Sequence, residues 1–258
     1  MADSSPDPSA QTPVLLDIYL ALAHISGPTA GPLAPLPSEE LEETPRLHVT
    51  HTADGRWHVF MRPDLPETTR HLLSTLPASV LFTDHSRVAR ILAEGDRSVS
   101  ALNTGLWVGH TLLFPEDIAP LLAHRSLDGL VRLGPERDYY GVSAPDATWL
   151  RSALASPEQA PPPREIFPHE QFAALADGVV VATCVSARES ALAAEAWVRT
   201  IPTARGRGYA THVTAAWALD VRHRGKTPFY SYAQDNRASA GVARALHLIP
   251  FLDDVGYL

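Results

Sequence analysis

Apolar residues fall in two rhythms along the chain. In the last third, the mostly apolar stretch Val179 to Ala187 reads as a buried strand, and Ala191 to Thr200 is a second strand, the two joined by a turn at Arg188-Glu189-Ser190. From Thr211 to Arg222 the spacing changes to helical, with Val213, Ala216, Trp217 and Val221 on one face. Pro228 to Ala233 predicts a third strand, Asn236 to His247 a helix capped at Asp235-Asn236, and Leu248 to Tyr257 a last strand. The earlier chain reads less evenly. Val14 to Leu22 predicts a short buried helix, and Arg46 to Met61 alternates around Ala53-Asp54-Gly55-Arg56, a hairpin with an Asp-Gly turn. Pro66 to Leu76 reads as helix and Ser79 to Thr83 as a compact strand. Ser86 to Glu94 reads as a helix capped by Ser86, Leu106 to Phe114 as a strand, and Pro115 to His124 as a helix with proline at its first position.

Proline punctuates this pattern. Its 23 copies in 258 residues, about 9% against roughly 5% in ordinary proteins, cluster at 1–13, 27–45 and 157–168. The expected division is a disordered tail over 1–13, an α/β domain over 14–156, a Pro-rich connection over 157–168 and a second domain over 169–258. A chain of this length, 45% hydrophobic, can bury a substantial core.

Charge and special residues remove several classes of function. A net charge of −8 argues against nucleic acid or an anionic membrane as partner. With one cysteine, Cys184, no internal disulfide and no cysteine-based zinc site can form. The twelve histidines contain no His-Glu-x-x-His, and His48 and His51 point to opposite faces of their strand, so no metal is expected. Residues 14–25 are too short and too polar to span a membrane, and the N-terminus lacks a signal peptide's basic region, so the expected compartment is the cytoplasm. Asp84-His85-Ser86 sits in a turn, where three adjacent residues cannot meet as a catalytic triad. Trp107, Tyr139 and Tyr140 could line an acceptor pocket, with core packing the simpler role.

The stretch with the clearest chemistry is Thr200-Ile-Pro-Thr-Ala-Arg205-Gly206-Arg207-Gly208-Tyr209-Ala210-Thr211. Two glycines permit a tight turn with bare N–H groups, and a helix follows at once. Its dipole adds about half a positive charge, and Arg205 and Arg207 add two whole ones. Such a place suits a phosphate or diphosphate. No Gly-Lys-Ser/Thr follows at P-loop spacing, and Thr211 stands where a dinucleotide fingerprint needs its third glycine.

Arg205-x-x-Gly208-x-Ala210 fits the pattern Gln/Arg-x-x-Gly-x-Gly/Ala, and so resembles the acyl-CoA diphosphate loop of the GNAT acyltransferase superfamily. The resemblance runs from about Ala173 to Tyr257 through Glu195-Ala-Trp-Val-Arg-Thr200-Ile-Pro202, Pro228-Phe-Tyr-Ser231 and Asp235-Asn236-Arg-Ala-Ser239. It looks most like the glycine N-acyltransferase-type branch, in which a degenerate first half precedes a full C-terminal half. It implies a mixed, mostly antiparallel α/β (α+β) sheet flanked by helices, preceded by a second GNAT-like half. It also implies acetyl-CoA, or another acyl-CoA, as co-substrate of an N-acetyltransferase. Val198, Arg199 and Thr200 would then offer backbone groups to the thioester and pantetheine. Arg205, Gly206, Arg207, Gly208, Tyr209 and Ala210 would hold the diphosphate, and Asn236 and Ser239 would reach the pantetheine arm. Glu195 would be the catalytic base, directly or through water.

Two positions depart from the family. The tyrosine that protonates the leaving thiolate is Ala243 here, and the glycine that closes the helix is His247. Expected partners are a small amine, an amino acid or a protein N-terminus as acceptor, with the protein a monomer or homodimer. The alternatives are a CoA-binding module or sensor without catalysis and, more remotely, a nucleotide-binding protein.

Overall fold

The computed structural model describes residues 8–22, 45–94, 105–118, 129–133, 171–176 and 179–258. Numbered in chain order, the described elements begin with α1 (Pro8–Leu22), β1 (Leu47–Thr52), β2 (Trp57–Met61), α2 (Glu67–Ser74), α3 (Ala78–Thr83), α4 (His85–Glu94) and β3 (Leu106–Leu113). Then come β4 (Gly129–Leu133), β5 (Gln171–Ala176), β6 (Val179–Glu189), β7 (Ala193–Thr200), α5 (Tyr209–His223), β8 (Thr227–Ala233), α6 (Arg237–Ala245) and β9 (Ile249–Tyr257). The chain forms two compact units: 1–111 with 232–235 and 250–258, and 112–231 with 236–249.

In the first unit the strands run β2-β1-β9-β3. The Asp-Gly turn closes the hairpin as expected, with Gly55 at φ 86° and the Thr52 N–H on the Arg56 carbonyl at 2.9 Å. β1 lies between β2 and β9, antiparallel to both, so both its hydrogen-bonding edges are paired. One face puts Leu47, Val49, Val255 and Tyr257 against Leu73, Leu81, Val88 and Leu92 from α2 to α4. The other holds a polar group, in which the Tyr19 hydroxyl donates to Asp254 at 3.2 Å and His48 Nε2 meets the same carboxylate oxygen at 3.3 Å.

In the second unit the order is β8-β7-β6-β5-β4. All neighbours are antiparallel except β7 and β8, which run parallel and are joined through α5. α5 is buried over far more of its circumference than the single face expected, from His212 to Ala218 without interruption. The Trp217 indole, fully buried, donates to Ser186 Oγ at 3.1 Å. Each unit is therefore a mixed α/β layer built on a mostly antiparallel sheet, the class expected from the sequence.

Several local expectations need correction. Ser79 to Thr83 is helical: the Val80 and Leu81 N–H groups both turn back to the Pro77 carbonyl, and of these five residues only Leu81 is buried. One buried contact per turn suits a helix, whereas a core strand buries more. Asp84, rather than Ser86, caps α4, its Oδ1 accepting the Arg87 N–H at 3.1 Å. Residues 115–118 are not the opening turn of a helix. The Arg222 guanidinium takes the carbonyls of Phe114, Pro115 and Glu116 at 2.6–2.8 Å, all of which a helix beginning at Pro115 would use for itself. Residues 8–13, expected in a disordered tail, belong to α1. The expected boundary over 157–168 also does not divide the units: β4 pairs with β5, and β9 returns from the C-terminus to pair with β1. Tyr139, Tyr140 and residues 119–124 lie outside the described residues.

Candidate acyl-donor site

β7 and β8 are paired over three positions, Ala193 with Thr227, Ala194 with Pro228 and Glu195 with Phe229. Beyond Glu195 the two strands separate, while β7 stays paired to β6 as far as Thr200. Burial follows the split: Ala193 to Ala196 are buried, and Trp197 to Thr200 only half so. The Ile201 N–H bonds to Val181 on the β6 side at 3.0 Å. Alternation along an antiparallel ladder then turns the backbone groups of Val198 and Thr200 away from β6, toward the split, and those of Arg199 toward β6. Of the three residues expected to offer backbone to the donor, two face the opening. The Arg199 side chain lies over the Trp197 ring at 4.6 Å. Thr200 Oγ1 is buried and finds no hydrogen-bond partner among the described residues.

At the end of β7 a short 3-10 turn, Pro202–Ala204, leads into the glycine loop. Gly206 and Gly208 both hold positive φ, 76° and 86°. A Cβ on Gly206 would meet nothing within 4 Å, so the backbone angle, rather than crowding, asks for glycine. Gly208 is the N-cap of α5, and no side chain caps that end. Among the described residues no hydrogen bond uses the amide of Gly206, Gly208, Tyr209, Ala210 or Thr211. The Gly208 carbonyl, in contrast, accepts from the His212 N–H at 3.3 Å and meets His212 Nδ1 at 2.9 Å. Arg205 and Arg207 are exposed beside the loop, and Arg205 Nε donates to the Thr200 carbonyl at 3.4 Å.

Because β7 and β8 are parallel, their C-terminal ends share one edge of the sheet. The glycine loop leaves the first, and Asn236 stands shortly after the second. Asn236 Oδ1 caps α6 by accepting the Ser239 N–H at 3.0 Å, which commits its oxygen and leaves its NH2 to donate elsewhere. His247, where the family pattern has glycine, takes φ 52°, so the left-handed closure is kept without the glycine. Ala243, at the missing tyrosine's position, is a buried methyl.

Glu195 is the last residue of β7 with strands on both sides, and it is 9% exposed. Arg188 Nη1 reaches its Oε2 at 3.2 Å from β6, where the register shifts between Ser186 and Arg188. That irregularity sets Arg188 opposite Glu195. Sequence reasoning placed Arg188 in a turn and passed over His212. Two signals pointed to them: a basic residue seven positions before the carboxylate, and a histidine four after Gly208 in the first turn of the following helix. Cys184, on β6, is fully buried, and burial pushes its thiol well above the ordinary range, so it is no nucleophile at neutral pH.

Among known proteins, residues 172–248 match the family model described as GNAT acetyltransferase. No curated protein sequence matches the chain. Similar solved structures include a protein from Novosphingobium aromaticivorans assigned as a GNAT-family acetyltransferase, at 16% identity and TM-score 0.43. That match covers 60% of this chain and 66% of the other, so the chain spans just under two thirds of that relative's length. A GNAT-family acetyltransferase from Colwellia psychrerythraea matches at 11% identity and TM-score 0.44, over 99% of this chain and 98% of that one. A tandem GNAT protein of the clavulanic acid biosynthesis pathway matches at 13% and 0.43, over 97% and 96%. Residues 172–248, holding the split strands, the glycine loop and Glu195, are thus the part of this chain that is similar to the GNAT acetyltransferases.

Proposed function

We propose that this protein is an acyl-CoA-dependent N-acyltransferase that moves an acetyl group from acetyl-CoA to an amine by direct attack. One observation carries the reading: two parallel strands part after three residue pairs, immediately before a loop of five uncapped amides at a helix N-terminus. The split offers backbone donors and acceptors to the amides of an extended pantetheine chain, and the loop suits a diphosphate.

The residues fit a short reaction sequence. Glu195 takes a proton from the bound ammonium, directly or through a water. The freed amine nitrogen attacks the thioester carbonyl carbon and a C–N bond forms, the nitrogen gives up its second proton to solvent, and the C–S bond breaks with its electron pair on sulfur. The thiolate is protonated by solvent, because Ala243 brings only a methyl to the usual donor's position. A thiolate is far less basic than an alkoxide and needs little help to leave near neutral pH. The acceptor is a small amine, an amino acid or a protein N-terminus.

Ala243 also favours a second reading, a CoA-binding module without turnover. Incubation with acetyl-CoA and a panel of amines, amino acids and short peptides, with free thiol followed in time, separates them. Acceptor-dependent thiol release is expected for the transferase. CoA binding by calorimetry with no release for any acceptor would leave only the module, and no binding at all would remove both.

A further inference from the structure

His212 is 4% exposed, and its two ring nitrogens have unequal surroundings. Nδ1 lies 2.9 Å from the Gly208 carbonyl, whereas Nε2 is buried with no partner among the described residues. A carbonyl oxygen can only accept, so this bond requires the proton on Nδ1 and leaves Nε2 bare. Burying a bare ring nitrogen is unfavourable, and an aliphatic residue would remove that penalty on this crowded helix.

The Gly208 carbonyl belongs to the peptide whose N–H is that of Tyr209. A peptide is planar and trans, so its C=O and N–H point in opposite directions. Two donors from His212, backbone N–H and Nδ1–H, pull the carbonyl into the first turn of α5. The Tyr209 N–H is thereby aimed out of the helix end, among the other free amides of the loop. Gly208, at φ 86° and ψ 0° with no side chain, has little stiffness of its own to fix that plane.

We propose that His212 is a positioning residue: its Nδ1–H locks the Gly208–Tyr209 peptide so that the loop's amides are arranged for a diphosphate before the ligand arrives. This rests on the CoA-binding reading above, and preorganisation of this kind shows as affinity.

The test compares His212→Leu, His212→Gln and His212→Asn with the unaltered protein, using CoA in calorimetry and thermal melting as the folding control. An asparagine amide can place a donor near the Nδ1 position, and a glutamine amide falls nearer Nε2. Leu and Gln should weaken CoA binding by about three- to tenfold, and Asn should restore most of it. Full affinity in the Leu variant, or an Asn variant as weak as Leu at equal melting temperature, would overturn the proposal. Imidazole nitrogen NMR gives a readout that needs neither ligand nor variant folding. The His212 signal should show Nδ1 protonated, and a bare Nδ1 sinks the proposal even if CoA binds. Should the unaltered protein fail to bind CoA while the tautomer is as stated, the CoA reading falls and takes the positioning role with it.

Discussion

Glu195 owes its place to the split in the sheet. It is held on one side by the final pair with Phe229 and on the other by Arg188, and the strands part just beyond it. For the base role proposed for it, a fixed place beside the gap matters, because proton transfer demands hydrogen-bond reach. Glu195→Gln is expected to lower turnover by at least tenfold, while calorimetric CoA affinity stays within about twofold. Equal rates at every pH would leave the carboxylate no part in catalysis. Asp54, in the first hairpin, makes a separate pH prediction. The Arg56 guanidinium, with help from the Thr52 hydroxyl, holds its carboxyl down to about 2 against an ordinary value of 3.8. A folded value below the unfolded one gives a contribution complete above pH ~4 and lost as pH falls through about 2. The melting temperature of Asp54→Asn should therefore lie below that of the unaltered protein at pH 6, with the gap closing toward pH 2. A gap of constant size would show that the ion pair does not act this way.

Among elements, the glycine loop and α5 act as one piece. Gly208 caps the helix in a left-handed conformation that an L side chain adopts only at a cost of roughly 1–2 kcal/mol. Gly208→Ala is expected to lower stability by about that amount and to weaken CoA binding as well. Chemical denaturation and calorimetry on the same sample would show both, and an unchanged midpoint would mean that the turn relaxes freely. The loop was legible in the sequence because its cause is local, two glycines and a helix start in five residues. The Asp-Gly hairpin was legible for the same reason. Ser79 to Thr83 was not, because a short apolar run carries no period of its own, and Pro77 and a single buried contact decided for helix. Residues 115–118 were misread because Pro115 is a good helix starter in isolation. Arg222, over a hundred residues away, claims the carbonyls such a helix would need.

At the scale of the whole molecule, chain order and spatial order differ. β9 ends the chain yet pairs through six positions with β1, and Val255 and Tyr257 fill the core beneath α2 to α4. Removing residues 250–258 is therefore expected to leave the first unit without a packed core. Soluble yield should collapse, and any soluble product should lose cooperative melting by circular dichroism. A truncated protein that melted like the full chain would show the strand to be dispensable. By itself the sequence determined the glycine loop, the helix behind it, the strand that leads to it and the carboxylate on that strand, since each depends on spacing between near neighbours in the chain. Only the tertiary structure decided that β7 and β8 part at Glu195 and that Arg188 faces the carboxylate. Those facts arise where separate segments meet, and the free energy of such meetings is a property of partners that no local pattern names.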